Sequence, residues 1–119
     1  MEERIRFITH QGKKILLIDF SHCSAEEILH LLPDVQELIT SEPRSSVLTL
    51  GDFTGAEVRK EVADRLKQTL VFDRPYVKHA ALVGVEKIPR VFLDSFKTFS
   101  QRELPDFKTR QEAMDWLVK

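Results

Sequence analysis

A single cysteine, Cys23, stands among the 119 residues, so no disulfide can close within the chain and no thiolate cluster can hold a metal. A reducing compartment suits such a protein. Glycine and proline are scarce, at four and five residues, and no low-complexity stretch or linker breaks the chain. Neither a Gly-rich phosphate loop nor a Gly-x-Ser-x-Gly elbow is present, which removes the usual nucleotide cradle and the usual hydrolase nucleophile. The longest apolar stretches, such as Ile15 to Ile18, fall far short of the roughly 20 residues a bilayer span needs, and the opening MEERIRF carries no apolar signal region. A cytoplasmic protein without stable membrane insertion is expected. An excess of positive charge is missing as well. The formal net charge of −1 argues against a nucleic-acid protein, because counterion release needs a basic surface.

What is present is the balance of an ordinary globular protein, 42% apolar and 31% charged, in a chain sized for one domain spanning residues 1–119. The charge is uneven along it. Residues 19–64 hold ten Asp or Glu against three Lys or Arg, net −7, and residues 65–110 hold five against ten, net +5. Such a dipolar molecule is expected to self-associate weakly, as a homodimer held by opposite charges.

Strand and helix periods alternate along the chain. RIRFITH, the turn residues QGKK and the apolar run ILLIDF read as a hairpin. The second of these strands is apolar at nearly every position, as befits an interior strand covered on both faces. From Ser24 to Ser41, Ile28, Leu31, Leu32, Val35, Leu38 and Ile39 trace one helical face. Pro33 interrupts that stripe, and its missing N–H and ring clash predict a kink or a restart of the helix there. SSVLTL predicts a third strand, Val58, Val62, Leu66 and Leu70 a second helix, and HAALVGV a fourth strand. A helix with Ile88, Val91, Phe92, Phe96 and Phe99 follows, then the short strand PDFK and a closing helix from Thr109. Three successive strand, helix, strand crossovers define an α/β class: a mixed, mostly parallel sheet of about five strands with about four helices.

A phrase recurs where strands hand over to helices. Asp19-Phe20-Ser21 ends the second strand and Asp52-Phe53-Thr54 ends the third. Ser24-Ala-Glu-Glu27, Thr54-Gly-Ala-Glu57 and Thr109-Arg-Gln-Glu112 each fit the Ser/Thr-x-x-Glu capping box, which predicts three capped helix starts. Thr54 is singled out by its place directly after an interior strand, since the carboxyl ends of parallel strands are where ligands and switches sit. Asp19, Ser21, Asp52 and Thr54 are therefore the candidate site. No catalytic residue is expected among them. A receiver-type pocket would want an acidic pair on the first strand, and Asp19 stands alone there. His22, Cys23 and His30 lack ligand spacing, so no metal and no cofactor is expected.

The element order and the phrases DFS, VLTLGDFTG, VKHAALVGV and DFKTRQEAMDWLV resemble the STAS-like proteins, relatives of the sporulation anti-sigma factor antagonists in the STAS/Sec14-like branch. Phe-x-Thr-x-x-Glu-Ala-x-x-Trp-Leu, from Phe107 to Leu117, is the most specific stretch. The resemblance implies a STAS-like fold and a non-enzymatic regulatory module that binds another protein, a kinase or regulator. It also implies a phosphorylatable hydroxyl at the position of Thr54, although the family's Asp-Ser-Ser-Gly reads Asp52-Phe53-Thr54-Gly55 here. The alternative from the same branch is a carrier of a small apolar, lipid-like ligand, with Phe92, Phe96 and Phe99 as its binding residues.

Overall fold

The computed structural model describes residues 3–119. Nine elements follow in the order β1 (Ile5–His10), β2 (Lys13–Asp19), α1 (Ala25–Thr40), β3 (Val47–Asp52), α2 (Lys60–Asp73), β4 (Val77–Val83), α3 (Arg90–Ser100), β5 (Asp106–Phe107) and α4 (Arg110–Leu117). The α/β class with a mixed, mostly parallel sheet is what the periodicities predict. The five strands lie in sequence order, β1 antiparallel to β2 and every later pair parallel.

Sequential strand order decides where the helices go. Right-handed crossovers that always step in the same direction place their helices on one face of the sheet, and α1 packs on α2 and α2 on α3 there. Helix α4, which follows the last parallel pairing, folds back against β3 and β4 on the other face. Period-2 alternation sorts the strand residues accordingly. Leu16, Val47 and Ala80 join the core beneath α1 to α3, while Ile15, Leu17, Leu48, Leu50, Ala81 and Val83 pack with Ala113 and Leu117 of α4. All six residues of β3 are buried.

Helix α1 starts as its sequence requires. The Ser24 hydroxyl accepts the Glu27 amide at 3.2 Å and the Glu27 carboxylate accepts the Ser24 amide at 2.9 Å, a complete capping box. Its course corrects the expected restart: one helix runs through Pro33 to Thr40. Pro33 itself is exposed, whereas Ile28, Leu32, Val35 and Ile39 are each at most 3% exposed. Burying four such side chains stabilises by about 1.5–3 kcal/mol apiece, which outweighs the ~3 kcal/mol an interior proline costs.

Helix α4 also begins on its expected cap, the Thr109 hydroxyl accepting the Glu112 amide at 3.1 Å. Helix α2 does not. It starts at Lys60, with Arg59 as an N-cap that makes no side-chain bond. The Thr54 box is therefore absent, for reasons that lie in the site.

Candidate functional site

The two handovers stand side by side at the carboxyl edge of the sheet, because β2 and β3 pair in parallel with Asp19 opposite Asp52. Each aspartate folds the residue two places on against itself. Asp19 Oδ1 accepts the Ser21 amide at 3.0 Å and the Ser21 hydroxyl at 2.5 Å. Asp52 Oδ1 accepts the Thr54 amide at 2.9 Å and the Thr54 hydroxyl at 2.7 Å. These are Asx-type turns, in which a short carboxylate substitutes for a backbone acceptor. The Phe20 and Phe53 side chains between them point the other way and meet in the core, with ring centroids 5.4 Å apart. The His22 amide donates to the Thr54 carbonyl at 2.7 Å and locks the two turns together.

Spoken for by Asp52, the Thr54 hydroxyl has no role at a helix start. Glu57 is engaged elsewhere too: its carboxylate accepts the Ala25 amide at 2.8 Å, capping the first turn of α1 across 32 positions of sequence. The local box thus loses both members to tertiary partners. Its expected stretch instead forms an irregular link from Phe53 to Arg59, leaving Thr54 exposed.

Two adjacent carboxylates need counter-charge, and the fold brings up two arginines, one shared by both acids and one, Arg4, 3.7 Å from Asp19 Oδ1. Arg110, the first residue of α4, donates from Nε to Asp52 Oδ2 at 2.7 Å and places its Nη2 3.2 Å from Asp19 Oδ1. Arg4, just before β1, donates to the carbonyls of Asp19 and Ser21 at 3.2 and 2.9 Å. Burial alone would raise the Asp19 carboxyl, but the Ser21 hydroxyl, the Ser21 amide and the Arg110 charge outweigh it and hold the group below its ordinary value. For Arg110, burial would lower the pKa, while the bonds and charges of Asp52 and Asp19 raise it. It stays cationic. Asp52 is the more enclosed acid, its side chain 7% exposed against 20% for Asp19.

Glycine holds the third side. Gly84, after β4, lies so close under Thr54 that an added Cβ would sit 2.5 Å from its amide nitrogen and 2.7 Å from its Cα, and the φ of +73° is one that glycine alone adopts freely. Arg110, Arg4 and Gly84 were not legible as site residues. Arg110 follows Thr109 at a predicted helix start, yet only the return of α4 over the sheet brings it to Asp52.

The site therefore assembles all four predicted polar residues, Asp19, Ser21, Asp52 and Thr54. The predicted apolar set does not assemble. Phe96 is buried at 3% exposure, Phe92 is half-buried on the edge of the same core, and Phe99 is 58% exposed on the outer surface between α2 and α3. Helical spacing put them on one broad stripe, but α3 lies along α2 and buries only its centre. Among the described residues no cluster of three or more His, Cys, Asp or Glu could hold a metal, and no helix is long and apolar enough to cross a membrane. Burial raises the Cys23 thiol, which is 1% exposed, above its ordinary value.

The chain matches no protein-family model, no curated protein and no solved structure. No family is assigned to it on that ground.

Proposed function

We propose that the protein is a regulatory binding module whose partner surface is the carboxyl edge of β2 and β3, switched by phosphorylation of Thr54. One observation carries the reading: the exposed Thr54, its hydroxyl aligned by Asp52, sits on a carboxylate pair that shares Arg110 as its common cation, with Arg4 Nη1 a further 3.7 Å from Asp19 Oδ1. A phosphoryl group there would add about 1.5 to 2 negative charges and three strong acceptors. It would repel Asp52 and compete with both aspartates for Arg110. Because Arg110 opens α4, that competition pulls on the start of the helix and changes the shape and charge of the edge together.

No helix dipole assists the phosphate, since α2 begins six residues beyond Thr54. The switch is electrostatic and centred on Arg110. The STAS-like resemblance of the short phrases favours the same class of role, non-enzymatic and protein-directed. The carrier alternative is weaker support for this chain, because Phe92, Phe96 and Phe99 do not share one cavity.

Affinity capture from the native host with wild type, Thr54→Ser, Thr54→Glu and Arg110→Met as baits, read by quantitative mass spectrometry, tests the reading. A partner retained by wild type and Thr54→Ser and reduced at least about tenfold by Thr54→Glu is expected, with phosphate found on Thr54 in the endogenous protein. Equal recovery by all four folded baits would refute it.

A further inference from the structure

Val71, Phe72 and Phe99 stay 45, 56 and 58% exposed, and all three line one open groove with Asp64, Lys67 and Gln68 on the outer surface of α2 and α3. Phe72 and Phe99 each stand one residue before the end of their helix. Because β3 and β4 are parallel, α2 leaves the carboxyl edge of the sheet after Asp52 and returns to the amino edge before Val77. Arg102 fastens the end of α3 beside it, donating to the carbonyls of Arg74 and Lys78 at 2.8 and 3.1 Å. The groove thus opens at the end of the molecule opposite Thr54. The chain around it is basic. Residues 65–78 and 95–102 supply Arg65, Lys67, Arg74, Lys78, Lys97 and Arg102 against one acid, Asp73, which is buried. Asp64 is held by Lys60 and Lys67 at 3.1 and 3.6 Å, and the exposed Glu103 follows Arg102.

We propose that this end of the molecule is a docking surface for an anionic lipid bilayer, with Phe72 and Phe99 as its apolar anchors. Clustered apolar side chains left in solvent mark a surface that meets something else. A second copy placed across the groove would set an identical cationic rim against the first, and the two would repel. Single-stranded nucleic acid binds aromatic residues by stacking on an open ring face, whereas Lys67 Nζ already lies 4.7 Å from the centroid of the Phe99 ring. An anionic bilayer fits both features. The rings enter the boundary between headgroups and acyl chains, while the Lys and Arg stems lie along them and carry their charges to the phosphates. Two rings and a valine bury too little apolar surface to anchor a protein unaided, so the attraction of the cations to anionic headgroups is required as well. Docked this way, the protein presents Thr54 and its carboxylate pair away from the membrane. The inference is independent of the Thr54 switch, because it rests on other residues at the other end of the molecule.

Flotation of the full chain on vesicles of phosphatidylcholine, and on vesicles of equal parts phosphatidylcholine and phosphatidylglycerol, tests it. Partitioning at least about tenfold stronger onto the anionic vesicles is expected, falling towards the neutral level as salt is raised to about 0.5 M. Phe72→Ser combined with Phe99→Ser should weaken anionic binding about tenfold, and so should Arg74→Gln combined with Lys97→Gln. Thr54→Glu should bind as wild type does. If the paired serine variant does not fold, the two-vesicle comparison on wild type and on the paired glutamine variant still decides. No binding to either vesicle, equal binding to both, or anionic binding untouched by the loss of both rings would each overturn the inference. So would a dimer in sedimentation that the paired serine variant turns into a monomer, which gives the groove to a second copy, or capture by single-stranded poly(U) without vesicle binding, which gives it to nucleic acid.

Discussion

The two Asp-Phe-hydroxyl handovers begin alike and end differently. After Asp19-Phe20-Ser21 the chain needs only three more residues before α1 starts on a complete capping box, whereas after Asp52-Phe53-Thr54 it wanders to Lys60 and α2 starts uncapped. The turns themselves match bond for bond. What separates them is the company each keeps. Ser24 is free to cap because Ser21 has already taken the aspartate, while the second handover has no spare hydroxyl, and its Glu57 crosses to α1. A hydroxyl that engages its own strand's carboxylate cannot also cap the next helix.

The largest expected effect concerns the glycines that back the two turns. Gly84→Ala would drive a Cβ into the Thr54 backbone and force a left-handed φ on a residue with a side chain, at a cost on the order of 3 kcal/mol. Gly55→Ala shares the left-handed φ of +67°, but its Cβ would meet the ring of the exposed His22, a side chain able to turn aside. A loss of about 1–2 kcal/mol is expected there. Denaturant unfolding of both variants checks the order, and equal losses would mean that the backbones are not closer at the second turn.

Next comes the shared arginine. Arg110→Met leaves two carboxylates facing each other without their common cation, and a loss of about 2–3 kcal/mol is expected. The asymmetry of the pair gives the sharper readout. In the Arg110→Met background, Asp52→Asn should recover more stability than Asp19→Asn, because Asp52 is the more enclosed acid. Recovery in the opposite order would reverse the assignment of which handover depends on α4.

The caps differ by less. Ser24→Ala removes the amide acceptor of α1 and should cost about 1 kcal/mol with loss of helicity in its first turn. Thr54→Ala removes one partly exposed hydrogen bond and should cost about 0.5 kcal/mol, with the exchange protection of α2 amides unchanged. Loss of protection at the start of α2 would restore Thr54 as a cap.

The smallest effect is a slope with pH. The Asp19 carboxyl titrates below its ordinary value of 3.8 in the fold, so its contribution is fully present above that value and is lost as pH falls through the lower folded one. Asp19→Asn should flatten the acid limb of the stability curve, measured by thermal unfolding between about pH 5 and 2. An unchanged acid limb would show that Ser21 and Arg110 do not favour the ionised form.

Much of this architecture was legible because it rests on short-range rules. The periods of 2 and 3.6 gave every strand and helix in order, and the Ser24 and Thr109 caps were correct because their partners lie three residues away. The four polar site residues could be named from the repeated phrase alone. Asp73 left a trace as well, since it continues the stripe of Val62, Leu66 and Thr69 on the buried face of α2, where an acid is out of place.

The sequence by itself determined the class, the element order and the Ser24 and Thr109 caps, since each depends on residues that are neighbours along the chain. Only the tertiary structure decided that Pro33 is tolerated, that Thr54 caps nothing, that the three phenylalanines part company and that Phe72 and Phe99 line one groove. Arg110 is the clearest case, lying 58 positions from the Asp52 it neutralises. Contacts at that separation form only when α4 closes over the sheet, and burial then sets energies of several kcal/mol that no local spacing encodes.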